Sequence, residues 1–123
     1  MKILCIVVVL VLSIPVVSTA QVLCSDLFAS GTANVFKWKY RNAATNKEAV
    51  RVGRLEDNNG LVTGIFGPWV ISGSYVGNKF QFNGTSKEDG AGIKGQGTCN
   101  LTYIIGDFGF NNGSATYYMT FEK

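Results

Sequence analysis

Trp69 and Tyr75 stand at an even spacing, so one extended strand would present both rings on the same face, with Gly67, Gly73 and Gly77 leaving room around them. Rings beside open space can stack on a sugar or a flat apolar ligand; the same two rings can equally fill a core. A second candidate is VFKWKYR, Val35 to Arg41, where Phe36, Trp38 and Tyr40 alternate with Lys37, Lys39 and Arg41. Interleaved rings and cations resemble a single-strand nucleic-acid platform, but such a platform offers both on one accessible surface. Strict alternation sends them to opposite faces, so the rings are expected in the core, the cations in water, and nucleic acid is not an expected partner. Lys37, Lys39 and Arg41, joined by Arg51 on the following strand, would then make a basic patch suited to an anionic glycan or a lipid headgroup.

Acid–base and metal chemistry find little to work with. The chain has no histidine, which removes the commonest general base and the usual partner of a serine or cysteine nucleophile. The carboxylate pairs Glu56–Asp57 and Glu88–Asp89 are sequence neighbours on turns, where they would splay rather than face each other across a cleft at about 5 to 9 Å as glycoside hydrolysis requires. Asp57-Asn58-Asn59 lacks the ligand spacing of a calcium loop and has a sufficient role as a turn. Two cysteines without histidine make a poor zinc site. The expectation is a protein with no catalytic residues, metal or cofactor, hence not an enzyme.

Three asparagines lie in acceptor sequons for N-linked glycans: Asn83-Gly84-Thr85, Asn100-Leu101-Thr102 and Asn112-Gly113-Ser114. Alternation places Asn83 and Asn100 on the polar face of strands and Asn112 in a turn, where a glycan would leave the core intact.

The compartment follows from the N-terminus. Lys2 supplies a positive start, residues 3–17 are almost wholly apolar, and Ser18-Thr19-Ala20 offers the small residues a signal peptidase reads. Residues 1–20 are therefore expected to be a signal peptide and 21–123 a single secreted, extracellular β-domain. An apolar run of about 15 residues is short for a membrane span, which needs about 20, and no second such run follows, so no transmembrane segment is expected. Removing Lys2 leaves ten Lys and Arg against eight Asp and Glu, lowering the net charge from +3 to +2, too weak to demand a polyanionic partner. Removing Cys5 leaves Cys24 and Cys99, which in a small secreted domain are most simply a disulfide.

The elements that must position these residues are strands. Glycines at 64, 67, 73, 77 and 84 cut the segment 61–85 into short alternating pieces, and each would cost a helix about 1 kcal/mol. Strands are expected at 35–41, 49–56, 61–66, 69–76, 79–85 and 98–105, with a last one through 115–122. Asn59-Gly60 marks a tight hairpin and Gly53 a bulge before Leu55. Residues 86–97 and 107–113 read as loops. In 98–105 the pattern sets Cys99, Leu101, Tyr103 and Ile105 on one face. The segment CSDLFAS is either a helical turn capped by Ser25 or Asp26 and ending at Gly31, or a first edge strand. The fold class expected is all-β: an antiparallel meander of seven or eight strands closing into a small barrel, with a β-sandwich as the alternative.

Ser72-Gly73-Ser74-Tyr75-Val76-Gly77 is similar to hairpin stretches of the avidin family of biotin-binding barrels, and Tyr40-Arg41-Asn42-Ala43 after Trp38 resembles another short fragment of it. This chain has two tryptophans, too few for that family's ring-stacking site, so the resemblance transfers no binding residue. The expected function is a secreted, non-enzymatic binding module contacting an extracellular glycan, small molecule or protein; the alternative is a structural or matrix glycoprotein.

Overall fold

The computed structural model describes residues 21–29 and 34–123. The expected signal peptide, residues 1–20, and Gly31 lie outside the described residues.

Eight antiparallel strands follow one another around a closed barrel: β1 (Val35–Asn42), β2 (Glu48–Asn58), β3 (Leu61–Phe66), β4 (Trp69–Val76), β5 (Lys79–Ser86), β6 (Gly92–Cys99), β7 (Tyr103–Phe110) and β8 (Thr116–Glu122), with β8 pairing back onto β1. Closure leaves no sheet edge, and an eight-stranded barrel has an interior just wide enough for side chains to fill. The barrel is thus the correct alternative, not the sandwich.

Turn chemistry sets the register. Asn59 (φ 52°) and Gly60 (φ 95°) form the two-residue turn between β2 and β3, with Asn58 paired to Leu61. Strict alternation then decides what lies inside. In β5, Phe80, Phe82, Gly84 and Ser86 point inward while Lys79, Gln81, Asn83 and Thr85 face out. The fully buried Trp38 holds the centre, its ring 5.3 Å from Phe121, 5.2 Å from Phe108, 5.8 Å from Phe66 and 6.4 Å from Phe82. Its indole N–H donates to the sulfur of Met119 at 3.3 Å.

So many rings fit because inward glycines face them. A Cβ on Gly73 would stand 2.9 Å from Phe80 Cζ, and one on Gly97 would stand 2.6 Å from Ile104 Cγ2. Both are closer than real side chains approach, so the absent side chains are the space that Phe80 and Ile104 occupy.

Three expectations need correction. The eighth strand is not N-terminal; it is β6, inside the segment expected to be a loop. The expected strand 98–105 is the end of β6, a turn at 100–102 and the start of β7. The turn shifts the alternation, so Ile104 and Phe108 are buried while Leu101 (59% exposed) and Ile105 (53%) face out. The bulge at Gly53 is absent: Phe36 pairs with Gly53 and Trp38 with Arg51 in unbroken register. With no bulge to reset the alternation, Leu55 points in and Val50 and Val52 point out.

Residues Cys24–Phe28 form a short helix, α1, rather than an edge strand. Asp26 serves it by accepting the Leu23 N–H at 3.0 Å, the acidic half of a capping box. Buried Leu27 and Phe28 close one end of the barrel, Phe28 lying 6.1 Å from Phe36. The Cys24–Cys99 disulfide ties α1 to the end of β6 (S–S 2.07 Å). The Cys24 N–H also bonds to Gly77 O, and the Lys123 ammonium donates to Leu27 O at 2.6 Å.

Candidate functional site

The fold separates residues that the spacing grouped. Trp69 and Tyr75 do share the inner face of β4, but six residues of strand, about 20 Å, divide them. Tyr75 lies at the end closed by α1, stacked 5.8 Å from Phe28, and its hydroxyl donates to Asp57 Oδ2 at 2.7 Å. Trp69 lies at the other end, 6.0 Å from Phe110 and 6.5 Å from Trp38. No single site uses both.

Burial, reinforced by the Asp57 carboxylate that accepts its proton and repels its anion, pushes the Tyr75 phenol up to about 12. A raised folded-state value means that the stabilisation is complete below the unfolded tyrosine's value near 10 and is lost as the pH climbs through about 12. A phenolate absorbance titration of wild type minus Tyr75→Phe should therefore show its midpoint near 12, and the alkaline loss of stability between 10 and 12 should shrink in the variant; a midpoint near 10 would contradict the Asp57 contact.

Glu56 and Asp57 lie within β2 rather than on a turn, and strand alternation parts them. Asp57 points inward and also accepts the Gly60 N–H at 2.9 Å, whereas Glu56 is on the outer wall, 3.8 Å from Arg54. Asp89 caps the β5–β6 turn, where the Ala91 N–H at 3.0 Å holds its carboxyl below the usual range. Among the described residues no group of three or more potential metal ligands converges.

Lys37, Lys39 and Arg41 all project outward from β1. Arg51 does not join them: its pairing with inward-pointing Trp38 forces it inward too. The outer cations also have acidic neighbours. Lys39 pairs with Glu122 at 3.1 Å, and Glu48 stands across from Arg41. The face is therefore of mixed charge rather than a basic patch.

What it does form is a groove of about 510 Å³ across β2, β1, β8 and β7. Val50 (58% exposed), Ile105 and Tyr118 (53%) supply apolar surface; Lys39 and Arg41 supply donors, Glu48 acceptors and Thr120 a hydroxyl. Tyr118 and Arg41 are preorganised: the guanidinium carbon lies 5.3 Å from the ring centroid, and Nη1 donates to Asn46 Oδ1 at 2.9 Å. Spacing within single strands could not reveal this groove, because Tyr118 and Ile105 reach Lys39 and Arg41 only through closure of β8 onto β1.

The opposite wall is polar. Ser72, Ser74, Gln81, Asn83, Lys94, Gln96 and Asp107 surround a depression of about 630 Å³ across β4 to β7. Asn83 is exposed within it. Asn100 lies in the β6–β7 turn rather than on a strand, donating to Tyr103 Oη at 2.9 Å, and Asn112 lies in the β7–β8 turn. Ser72 to Gly77 is the end of β4 and its turn, and Tyr40 to Ala43 the end of β1 and its turn; the interior they enclose is filled by the chain's own rings.

No helix among the described residues is long and apolar enough to cross a membrane. Compared with protein-family models, curated proteins and solved structures, the chain finds no match.

Proposed function

We propose that this chain is a secreted, non-enzymatic binding module that engages an extracellular glycan through the outer-wall groove. The observation that carries the reading is the groove's combination of surfaces. Sugars present C–H faces together with hydroxyls that both donate and accept, and the groove offers Tyr118, Val50 and Ile105 beside the donors Lys39 and Arg41 and the acceptor Glu48. Its volume falls within the range of small-ligand sites. Lys37 lies beyond the groove on the same strand, where it would meet a longer or anionic glycan. Tyr75, committed to Asp57 and Phe28, is left out of the ligand role.

Glycans on the protein itself fit the same reading. On the ring of eight strands β5 is diametrically opposite β1, so a glycan on Asn83 would cover the polar wall and leave the groove clear. A structural or matrix role is the second reading, favoured by the filled interior, which leaves a purely architectural domain just as stable.

A glycan-array screen of the secreted protein tests the first reading. Binding is expected, and Tyr118→Ala should weaken it about tenfold or more, as loss of a preorganised aromatic anchor does; Lys39→Ala with Arg41→Ala should weaken it further, and Trp69→Ala should leave it unchanged. Binding that survives Tyr118→Ala, or depends on Trp69, would move the site elsewhere. No binding to any glycan would favour the structural reading.

A further inference from the structure

At the barrel end away from α1, the half-buried, inward-pointing residues include Tyr40, Arg51, Trp69, Phe110 and Tyr117. Their rings form a collar, with Trp69 to Phe110 at 6.0 Å, Phe110 to Tyr117 at 6.1 Å and Tyr117 to Tyr40 at 5.6 Å. Arg51 sits in the arc between Tyr40 and Trp69. Its Nε donates to Tyr40 Oη at 2.9 Å, and its head reaches the β3–β4 turn, where a Cβ on Gly67 would stand 2.8 Å from Nη1.

The terminal nitrogens of Arg51 have neither a hydrogen-bond acceptor nor a carboxylate in ion-pair reach among the described residues. The outward arginines differ: Arg41 has Asn46 and Tyr118, and Arg54 has Glu56. One inward guanidinium, oriented by a tyrosine of the collar, presents an open planar fork. Such a fork matches a carboxylate in two parallel hydrogen bonds. Nearby ring faces suit a flat apolar body. A neutral ligand would leave the fork unpaired.

We infer that this collar binds a small organic carboxylate with a flat, apolar body, its acid group on Arg51 and its body against Trp69 and Phe110. The ligand rests at the mouth, because Trp38 and Phe108 fill the barrel beneath. Tyr40 borders both sites, but Arg51, Trp69 and Phe110, which would hold the ligand, do not line the outer-wall groove, so either can fail without the other.

Nuclear magnetic resonance titration with 3-phenylpropanoate, and with 3-phenylpropanamide of the same shape but no charge, tests the inference. The acid should shift the Trp69 indole N–H and Arg51 Nε–H signals and bind about tenfold or more tightly than the amide. Arg51→Met should abolish that preference. Arg51→Lys, which keeps the charge and the packing stem but not the fork, should reduce it, and serves as the folded variant if Arg51→Met does not fold. Equal binding of acid and amide, a preference that survives Arg51→Met, no shift at either signal, or shifts at Arg41 and Tyr118 instead would each overturn the inference.

Discussion

Replacing both Cys24 and Cys99 with serine should destabilise the barrel by about 4 to 5 kcal/mol, the loop-closure entropy restored to an unfolded chain when residues separated by 75 positions are no longer linked. From about a third to nearly all of a small domain's net stability, typically about 5–15 kcal/mol, would go with it. The folded state suffers as well. Cys24 is fully buried, and α1 is only five residues long, below the length at which a helix holds itself together. Without the covalent link, Leu27 and Phe28 would be held at the barrel end by packing and by the contacts of Gly77 and Lys123. Urea denaturation of the variant, or of the wild type with and without reductant, measures the effect as a large fall in the midpoint. A fall equivalent to less than about 1 kcal/mol would mean that the loop is already constrained in the unfolded chain.

Trp38→Ala should remove about 3–5 kcal/mol, the range for deleting a large buried ring whose cavity cannot collapse. Collapse is resisted here because the wall is a closed hydrogen-bonded cylinder and the surrounding rings of Phe66, Phe82, Phe108 and Phe121 are held by their own strands. Trp69 provides the internal control. It has the same side chain at the rim, half-buried, so Trp69→Ala should be about half as damaging or less. Chemical denaturation of the two variants side by side checks this. Equal losses would contradict the placement of Trp38 at the centre of the barrel.

Much of the wall was legible in the sequence because local chemistry and tertiary structure agree there. Phe36, Trp38 and Tyr40 alternate with cations, Asn59-Gly60 dictates a two-residue turn, and glycines punctuate β3 to β5. Legibility failed where a strand's local preference opposes its place in the barrel. GIKGQGTC has three glycines in eight residues and resembles a loop, yet it is β6, its inward glycines making way for Phe82, Phe108 and Ile104 from neighbouring strands. In β2 the hydrophobic pattern pointed the wrong way. Val50 and Val52 are outside and Arg51 inside, because pairing with β1, whose rings must be buried, decides the face of its partner.

The two candidate sites trace to those same two surprises. The outward valine of β2 and outward Ile105 of β7 supply the groove with apolar surface; the inward arginine of β2 supplies the collar with its cation. Neither could be read from periodicity within one strand. Each arises from closure, which brings β8 and β7 beside β1 and sets Arg51 at one end with rings from four other strands.

The most direct test of the central reading is backbone-amide chemical-shift mapping of the protein with the glycan that binds it most tightly. Shifts concentrated on β1, β2 and β8 around Arg41, Val50 and Tyr118, with β5 and the inward positions silent, are the expected result. Shifts centred on the polar wall around Gln81 and Gln96, or spread through the interior residues near Trp38, would contradict it.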